Sequence, residues 1–165
     1  MGQDILSLGT EPLTLVVIGC GQRGSVCISP ACKHVAADFR PEAYASYALQ
    51  EPTACKVVAI AEPRPKTRSL FQQAHSVDKT LIFNSWQELH QASAETIKTV
   101  GKRLADAVIV AVHDRMHMEV VLAFAEQGYH ILCEKPMSTN IEDCIKMEAA
   151  VKKAGVIFGM GHGKH

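Results

Sequence analysis

A glycine-rich turn follows the first apolar run of the chain and has the spacing of a phosphate-binding loop. The run Leu13–Ile18 leads directly into Gly19-Cys20-Gly21-Gln22-Arg23-Gly24. In a G-x-G-x-x-G turn between a strand and a helix, the first glycine permits the turn, the second lets the backbone approach a pyrophosphate, and the third allows close helix packing. N–H groups at the helix start then bind the phosphates. The turn predicts a dinucleotide site, although a purely structural turn fits the glycines as well.

A carboxylate after the second apolar run strengthens the dinucleotide interpretation. Glu62 stands where dinucleotide-binding folds place the acid that binds the adenosine ribose hydroxyls. It follows Gly24 by 38 residues, whereas the usual interval is about 20. Residues Ser25 to Ala43 contain Pro30 and Pro41, which disfavour a helix interior. Treating residues 25–43 as an insertion brings the interval close to the usual one.

The residues around Glu62 also bear on the choice of cofactor. A carboxylate repels the 2′-phosphate of NADP, so Glu62 favours NAD. Arg64 follows two residues later and carries the charge to bind that phosphate, but a lone arginine also fits a solvated loop. We therefore expect NAD as the cofactor, with NADP as the alternative.

Short apolar runs must position these residues at the edge of a sheet. Their continuous hydrophobicity is typical of parallel strands that are buried on both faces. The predicted strands are Leu13–Ile18, Lys56–Ala61, Ala107–Val112, His130–Cys133 and Val156–Phe158, with Leu81–Phe83 as a weaker sixth.

Helical patterns lie between these runs. Ser85 precedes Glu88 by three residues, which is a capping box, and Gly128 and Gly155 are signals of helix ends. The predicted helices are Tyr44–Leu49 in place of the usual first helix, Thr67–His75, one that begins at Ser85, Met116–Gln127, and one from Ser138 or Thr139 to Ala154. The alternation predicts an α/β fold that is Rossmann-like and doubly wound, with a mostly parallel sheet.

Composition narrows the class of protein. The 165 residues are 47% apolar, and 17 basic residues balance 17 acidic ones, so we expect one domain over residues 1–165 with no nucleic-acid or membrane partner. The longest apolar run has six residues, against about 20 for a membrane span. The start lacks the features of a signal peptide, which predicts a cytoplasmic protein. The six cysteines and eight histidines lack metal-site spacing, so we expect no metal and free thiols.

Four motifs occur in a specific order. They are the turn Gly19–Gly24, Ala61-Glu62-Pro63, Ala111-Val112-His113-Asp114-Arg115-Met116-His117, and Glu134-Lys135-Pro136. Together they resemble the nucleotide-binding half of the Gfo/Idh/MocA family, which includes glucose-fructose oxidoreductase and inositol dehydrogenase. The resemblance implies an NAD(P)-dependent oxidoreductase that acts on a sugar, a polyol or a related hydroxy compound.

The resemblance assigns a catalytic role within the last motif. In the family, the Glu-Lys-Pro turn lies where nicotinamide meets substrate, and its lysine binds the substrate hydroxyl and assists proton transfer. Lys135 is therefore the catalytic candidate, with Glu134 and Pro136 beside the cofactor. The alternative for Lys135 is an ion pair with a neighbouring acid on a surface turn.

The resemblance also implies cofactor contacts in the loop after the fourth strand. Ala111, Val112 and His117 match family positions that contact the dinucleotide, whereas His113 stands where the family usually has proline. Both histidines also fit polar positions at the start of a helix.

Family members continue into a second domain that covers the nicotinamide, and the sequence reaches His165 near the point where that domain begins. We therefore expect a single domain lacking the family's C-terminal domain, one that binds dinucleotide without turning over substrate. A small-molecule hydroxy substrate is expected only when a second domain is present, and a homo-oligomer is the other arrangement that would cover the site. A non-catalytic dinucleotide-binding sensor and a protein-interaction module remain alternatives.

Overall fold

A parallel sheet of six strands forms the centre of the computed structural model, which describes residues 11–21 and 44–161. The strands in chain order are β1 (Leu13–Ile18), β2 (Cys55–Ala61), β3 (Ile82–Phe83), β4 (Ala107–Val110), β5 (His130–Glu134) and β6 (Phe158–Gly161). Their spatial order is β3-β2-β1-β4-β5-β6, and each neighbouring pair is parallel. This order is that of the doubly wound dinucleotide-binding fold.

Helices connect the strands over the described ranges. They are α1 (Ser46–Gln50), α2 (Pro65–His75), α3 (Trp86–Val100), α4 (His117–Glu126) and α5 (Ile141–Ala154), with short 3-10 turns at Lys79–Leu81 and Asp114–Met116. None of the described helices combines the length and the apolar character needed to cross a bilayer.

Local sequence signals explain where these helices begin and end. The Ser85 hydroxyl accepts the N–H of Glu88 at 3.2 Å, as the capping box predicts. The Glu88 carboxylate, however, accepts the N–H of Asn84 at 2.9 Å, one residue before the expected donor. Gly101 and Gly155 end α3 and α5 with φ of +74° and +67°, a conformation that costs glycine little.

The core consists of two apolar clusters, one on each face of the sheet. Alternate residues of β1 point to opposite faces, so Val16 packs in one cluster and Val17 in the other. Helices α3, α4 and α5 cover the first face with Leu89, Phe124 and Met147, while α1 and α2 cover the second with Ala48 and Phe71. This burial on both faces is why the strand sequences are continuously apolar.

The last strand lies later in the chain than the predicted Val156–Phe158. The left-handed Gly155 ends α5, and the next two residues only return the chain to the sheet, with Ile157 71% exposed. Strand β6 then includes Gly159 and Gly161, two residues with low strand propensity. At Gly161 the position of a Cβ is already filled by the Tyr44 hydroxyl, so close packing selects glycine there.

Other boundaries differ by a few residues. Strand β4 ends at Val110 rather than Val112, α5 begins after Asn140 rather than at Ser138 or Thr139, and α1 begins at Ser46 rather than Tyr44. The Asn140 side chain accepts the Asp143 N–H and takes the capping role expected of the earlier hydroxyls. The predicted insertion, residues 25–43, lies outside the described residues.

Candidate functional site

Four segments that the sequence singles out meet at one edge of the sheet. Gly19 follows β1, Glu62 follows β2, Ala111 follows β4 and Lys135 follows β5. Because all four strands are parallel, their carboxyl ends lie on the same edge, as the sequence predicts. In open α/β sheets, ligands bind in the crevice outside this edge.

Gly19 allows the turn after β1 to approach the loop after β4. Its φ is +86°, and a Cβ at this position would lie 2.7 Å from the carbonyl carbon of Ala111 and 3.1 Å from the nitrogen of Val112. The Ala111 N–H donates to the carbonyl of Ile18 at 2.8 Å, which ties the loop to the end of β1. Gly19 is thus required both by its backbone conformation and by the space available.

Glu62 is the most constrained side chain of the site. It is 1% exposed, and its carboxylate accepts the N–H of Cys20 at 2.8 Å and the N–H of Arg64 at 2.9 Å. The Arg64 guanidinium also donates to both oxygens, from Nε at 2.7 Å and from Nη2 at 3.0 Å. Burial by itself raises the pKa of Glu62, but the bonds from Arg64 and Cys20 outweigh it and lower that pKa below the ordinary value.

Two arginines hold the loop between β2 and α2. The Arg64 side chain is 61% exposed, and its bond to Glu62 raises its pKa. Its Nη2 lies 3.4 Å from the point where a Cβ would stand on Gly21, so the guanidinium reaches over the glycine turn. Arg68 donates from Nη1 to the carbonyl oxygens of Glu62 at 2.6 Å and Pro63 at 3.1 Å. Arg68 therefore fixes the backbone, whereas Arg64 binds the carboxylate itself.

A cavity of about 260 Å³ lies between the ends of β4 and β5. Its size is below the roughly 300–1,000 Å³ of pockets that enclose a drug-sized ligand, so it fits one ring rather than a whole dinucleotide. Asp114 and Lys135 are exposed beside it. The lining residues are Ala111, Val112, Asp114, His117, Glu134, Lys135 and Pro136.

The Glu134 carboxylate is buried in the wall of this cavity. One oxygen accepts the N–H of Lys135 at 2.5 Å, and the other accepts the Tyr44 hydroxyl at 3.1 Å. The Lys135 side chain is therefore carried on a turn whose backbone is held by the preceding residue. Sequence reasoning missed Tyr44, whose only signal was its position directly after the predicted insertion.

His117 connects the two loops that form the cavity. Its ring is buried, with Nδ1 2.8 Å from the carbonyl oxygen of Pro136 and Nε2 3.2 Å from that of Val112. A neutral imidazole has one N–H, so only one of these contacts is an N–H···O bond in that form. His113 is exposed just before the 3-10 turn. The predicted cofactor contact of His117 stays a prediction.

The other predictions from sequence concern the rest of the glycine turn, the cysteines and the absence of a metal site. Gln22, Arg23 and Gly24 lie outside the described residues. Cys20, Cys55, Cys133 and Cys144 are free thiols, and burial raises the pKa of Cys133 to about 12 and that of Cys20 further. These two buried thiols therefore remain protonated and are poor nucleophiles. The described ranges contain no group of three or more potential metal ligands.

A second cavity, of about 450 Å³, lies at the opposite edge of the sheet near Thr14 and Asp106. One Asp106 oxygen accepts the Thr14 N–H at 2.8 Å and the Thr14 hydroxyl at 2.6 Å. These bonds join the starts of β1 and β4, and they lower the pKa of Asp106. We interpret this edge as structural, because its acid binds the neighbouring strand.

Comparison with known proteins shows which fold and which protein family this chain matches. Residues 13–162 match the model of the GFO_IDH_MocA oxidoreductase family, NAD-binding Rossmann fold. The chain is 44% identical over 63 residues to 2,7-anhydro-N-acetylneuraminate hydratase of Escherichia coli K12, and 41% identical over 59 residues to myo-inositol 2-dehydrogenase of Thermotoga maritima. These matches cover 38% and 36% of this chain.

A solved structure shares the fold at low sequence identity. The WlbA dehydrogenase of Bordetella pertussis, in complex with NADH and UDP-GlcNAcA, superimposes with a TM-score of 0.65 and 20% identity over 91% of this chain. This chain spans 37% of the length of that structure, and its matches span 17% and 18% of the two curated relatives.

Proposed function

The chain belongs to the Gfo/Idh/MocA oxidoreductase family by its NAD-binding Rossmann fold, and we propose that it is the dinucleotide-binding part of an oxidoreductase for a sugar, a polyol or a related hydroxy compound. The observation that carries the proposal is the meeting of Gly19, Glu62 and Lys135 at the carboxyl edge of one parallel sheet. Each of these residues belongs to a different motif with a different proposed role. Because all three lie at the same edge of the sheet, one extended ligand can contact them together.

The proposed cofactor orientation follows from the order of the strands. Glu62 at the end of β2 takes the adenosine ribose, and the turn with Gly19 and Gly21 takes the pyrophosphate. The nicotinamide then lies toward the cavity between β4 and β5, whose size fits a single ring. Gln22, Arg23 and Gly24 complete the pyrophosphate turn in this proposal. When bound, the nicotinamide supplies the hydride acceptor or donor.

Lys135 is the proposed catalytic residue. It borders the cavity and is exposed, so its ammonium can reach a hydroxyl placed against the ring. In this role it binds the substrate oxygen and takes or returns its proton. Bulk water around an exposed lysine weakens its electrostatic effect, since unit charges interact about four times more weakly in water than near a protein surface. We therefore propose that these 165 residues bind dinucleotide but do not turn over substrate alone.

Two measurements test the two parts of this proposal. Fluorescence titration with NADH should show binding at high micromolar to millimolar concentration, and a folded protein that binds neither NADH nor NADPH would contradict the first part. Absorbance of reduced cofactor, followed with a panel of sugars, polyols and inositols, should show no turnover. Robust turnover that the Lys135→Met variant loses would overturn the second part.

A non-catalytic dinucleotide sensor is the second candidate function. The exposure of Lys135 favours it, because a sensor requires binding without an enclosed reaction site. The NADH titration supports the sensor function if the dissociation constant is near micromolar and no substrate of the panel is turned over. An interaction module is favoured instead if the folded chain binds no dinucleotide.

A further inference from the structure

Every acceptor position of the Glu62 carboxylate is occupied by the protein itself. A carboxylate offers about four lone-pair sites, and Glu62 accepts four N–H bonds, two of them from the backbone of Cys20 and Arg64 and two from the Arg64 guanidinium. A ribose diol needs acceptor sites on this same carboxylate. Binding of adenosine therefore requires that at least one of the present donors leaves.

The guanidinium is the donor that can leave. The Cys20 and Arg64 N–H groups are fixed by the backbone of the turn and of the loop, and Cys20 is fully buried. The Arg64 side chain is 61% exposed and ends a flexible stem. Water can solvate the released guanidinium, and the ribose hydroxyls then donate to the buried carboxylate in its place, so Glu62 is not left without donors.

The position of the guanidinium makes it a direct obstacle. Its Nη2 lies 3.0 Å from Glu62 and 3.4 Å from the Cβ position of Gly21. It thus spans the gap between the acid and the glycine turn, the space that the ribose and its phosphate would occupy. No other described side chain donates to this carboxylate.

We propose that Arg64 is an intramolecular competitor for the ribose site and thereby sets cofactor specificity, an inference that rests on the proposed dinucleotide function. NAD(H) must displace the guanidinium from Glu62, and it has no 2′-phosphate to which the displaced guanidinium could bind. NADP(H) displaces it as well, but its 2′-phosphate, next to the ribose, offers the guanidinium a new anionic partner. Arg64 therefore weakens binding of NAD(H) and strengthens binding of NADP(H), which narrows the preference that Glu62 creates.

The test compares cofactor affinities in matched variants of the full chain. Arg64→Met keeps the aliphatic stem and removes the charge, and Arg68→Met is the control, because Arg68 binds only backbone carbonyls of the same loop. Titrations with NADH and NADPH should show that Arg64→Met binds NADH about two- to fivefold more tightly, the scale of one hydrogen bond exchanged on the same acceptor, and binds NADPH at least fivefold more weakly. The NADPH-to-NADH ratio of dissociation constants should rise about tenfold or more, whereas Arg68→Met should leave this ratio unchanged.

A second measurement separates the possible failures. The Arg64 Nε–H resonance, assigned by its loss in Arg64→Met, should shift on addition of NADH to the wild-type protein, as the bond to Glu62 breaks. If the wild type binds NADH but Arg64→Met does not bind NADH more tightly, the competitor role is wrong and the proposed function stands, even if NADPH binding weakens. If neither folded protein binds either dinucleotide, the proposed function is wrong and the competitor role falls with it.

Discussion

Two buried glutamates at the same edge of the sheet are held in different ways. Glu62, after β2, is bound by a guanidinium and by two backbone N–H groups, and its pKa is lowered. Glu134, at the end of β5, accepts a tyrosine hydroxyl and the N–H of Lys135. The first arrangement keeps a charge in place for a polar ligand, whereas the second fixes the turn that carries a lysine toward the cavity. In the proposed function, one residue type thus serves as a binding group after β2 and as a support for the backbone turn after β5.

The largest loss of stability is expected for a substitution of Gly19, which packs against the loop after β4. Gly19→Ala should destabilise the protein by roughly 2–5 kcal/mol, since a left-handed alanine costs about 1–2 kcal/mol and overpacking about 1–3. Its Cβ would overlap the backbone of Ala111 in the cavity wall. Gly101→Ala is the matched control, because Gly101 has φ of +74° but no neighbour within 4 Å, and it should cost only about 1–2 kcal/mol. Equal urea midpoints for the two variants would show that the approach of β1 to the β4 loop is not tight.

Replacing each glutamate by glutamine tests the comparison directly. Glu62→Gln should lower the free energy of unfolding by about 2 kcal/mol at neutral pH, because it removes bonds to a charged acceptor, and Glu134→Gln by about 1 kcal/mol or less. Urea denaturation measures both. A larger loss for Glu134→Gln would show that the bonds of Glu134 stabilise the fold more than those of Glu62 do.

Glu62→Gln should also change how the free energy of unfolding depends on pH. The pKa of Glu62 lies below its ordinary value of 4.5 in the folded protein, so its stabilising contribution is fully present above that value. The contribution is lost as the pH falls through the lowered pKa, because the unfolded chain takes up the proton first. The stability difference between wild type and Glu62→Gln should therefore shrink as the pH falls below about 4.5. A difference that stays constant to the lowest pH at which the protein folds would contradict the ionised pairing.

A smaller loss of stability is expected at Tyr44, which donates a hydrogen bond to Glu134. Tyr44→Phe removes the hydroxyl bond to Glu134 and should cost about 1 kcal/mol. Tyr47→Phe is the control, because Tyr47 lies three residues later in α1 and is 54% exposed, and this variant should stay within about 0.5 kcal/mol of the wild type. Thermal melting of the two variants side by side measures the difference, and its absence would remove Tyr44 from the support of this turn.

The smallest effect on stability is expected for the residue proposed to matter most for chemistry. Lys135→Met should change the free energy of unfolding by less than about 0.5 kcal/mol, because the side chain is exposed. A loss above about 1 kcal/mol in urea denaturation would indicate that Lys135 is a structural part of the Glu134 turn.

The fold was predictable because its signals are local and repeated. Each long apolar run became a parallel strand, and the glycines after α3 and α5 took the left-handed conformation that ends a helix. The exception was β6, where glycines replaced the expected β-branched residues. Strand propensity disfavours both Gly159 and Gly161, and at Gly161 the packing of Tyr44 requires glycine.

The site was predictable in position but not in its contacts. The edge that gathers Gly19, Glu62 and Lys135 follows from parallel strands, and motif spacing located each of them. The bond between Tyr44 and Glu134 joins residues 90 apart in sequence, and no spacing rule links them. The His117 contacts to the carbonyls of Val112 and Pro136 likewise depend on how two separate loops pack.

The sequence by itself determined the sheet, the helices and the edge at which the candidate site residues lie, because periodicity, caps and turns act over a few neighbouring residues. Only the tertiary structure decided what each charged group binds. From the sequence, Arg64 could bind a phosphate or remain a solvated charge. In the structure it forms an ion pair with Glu62. That outcome depends on burial of the acid, which makes an unpaired carboxylate costly and so draws the nearest cation to it.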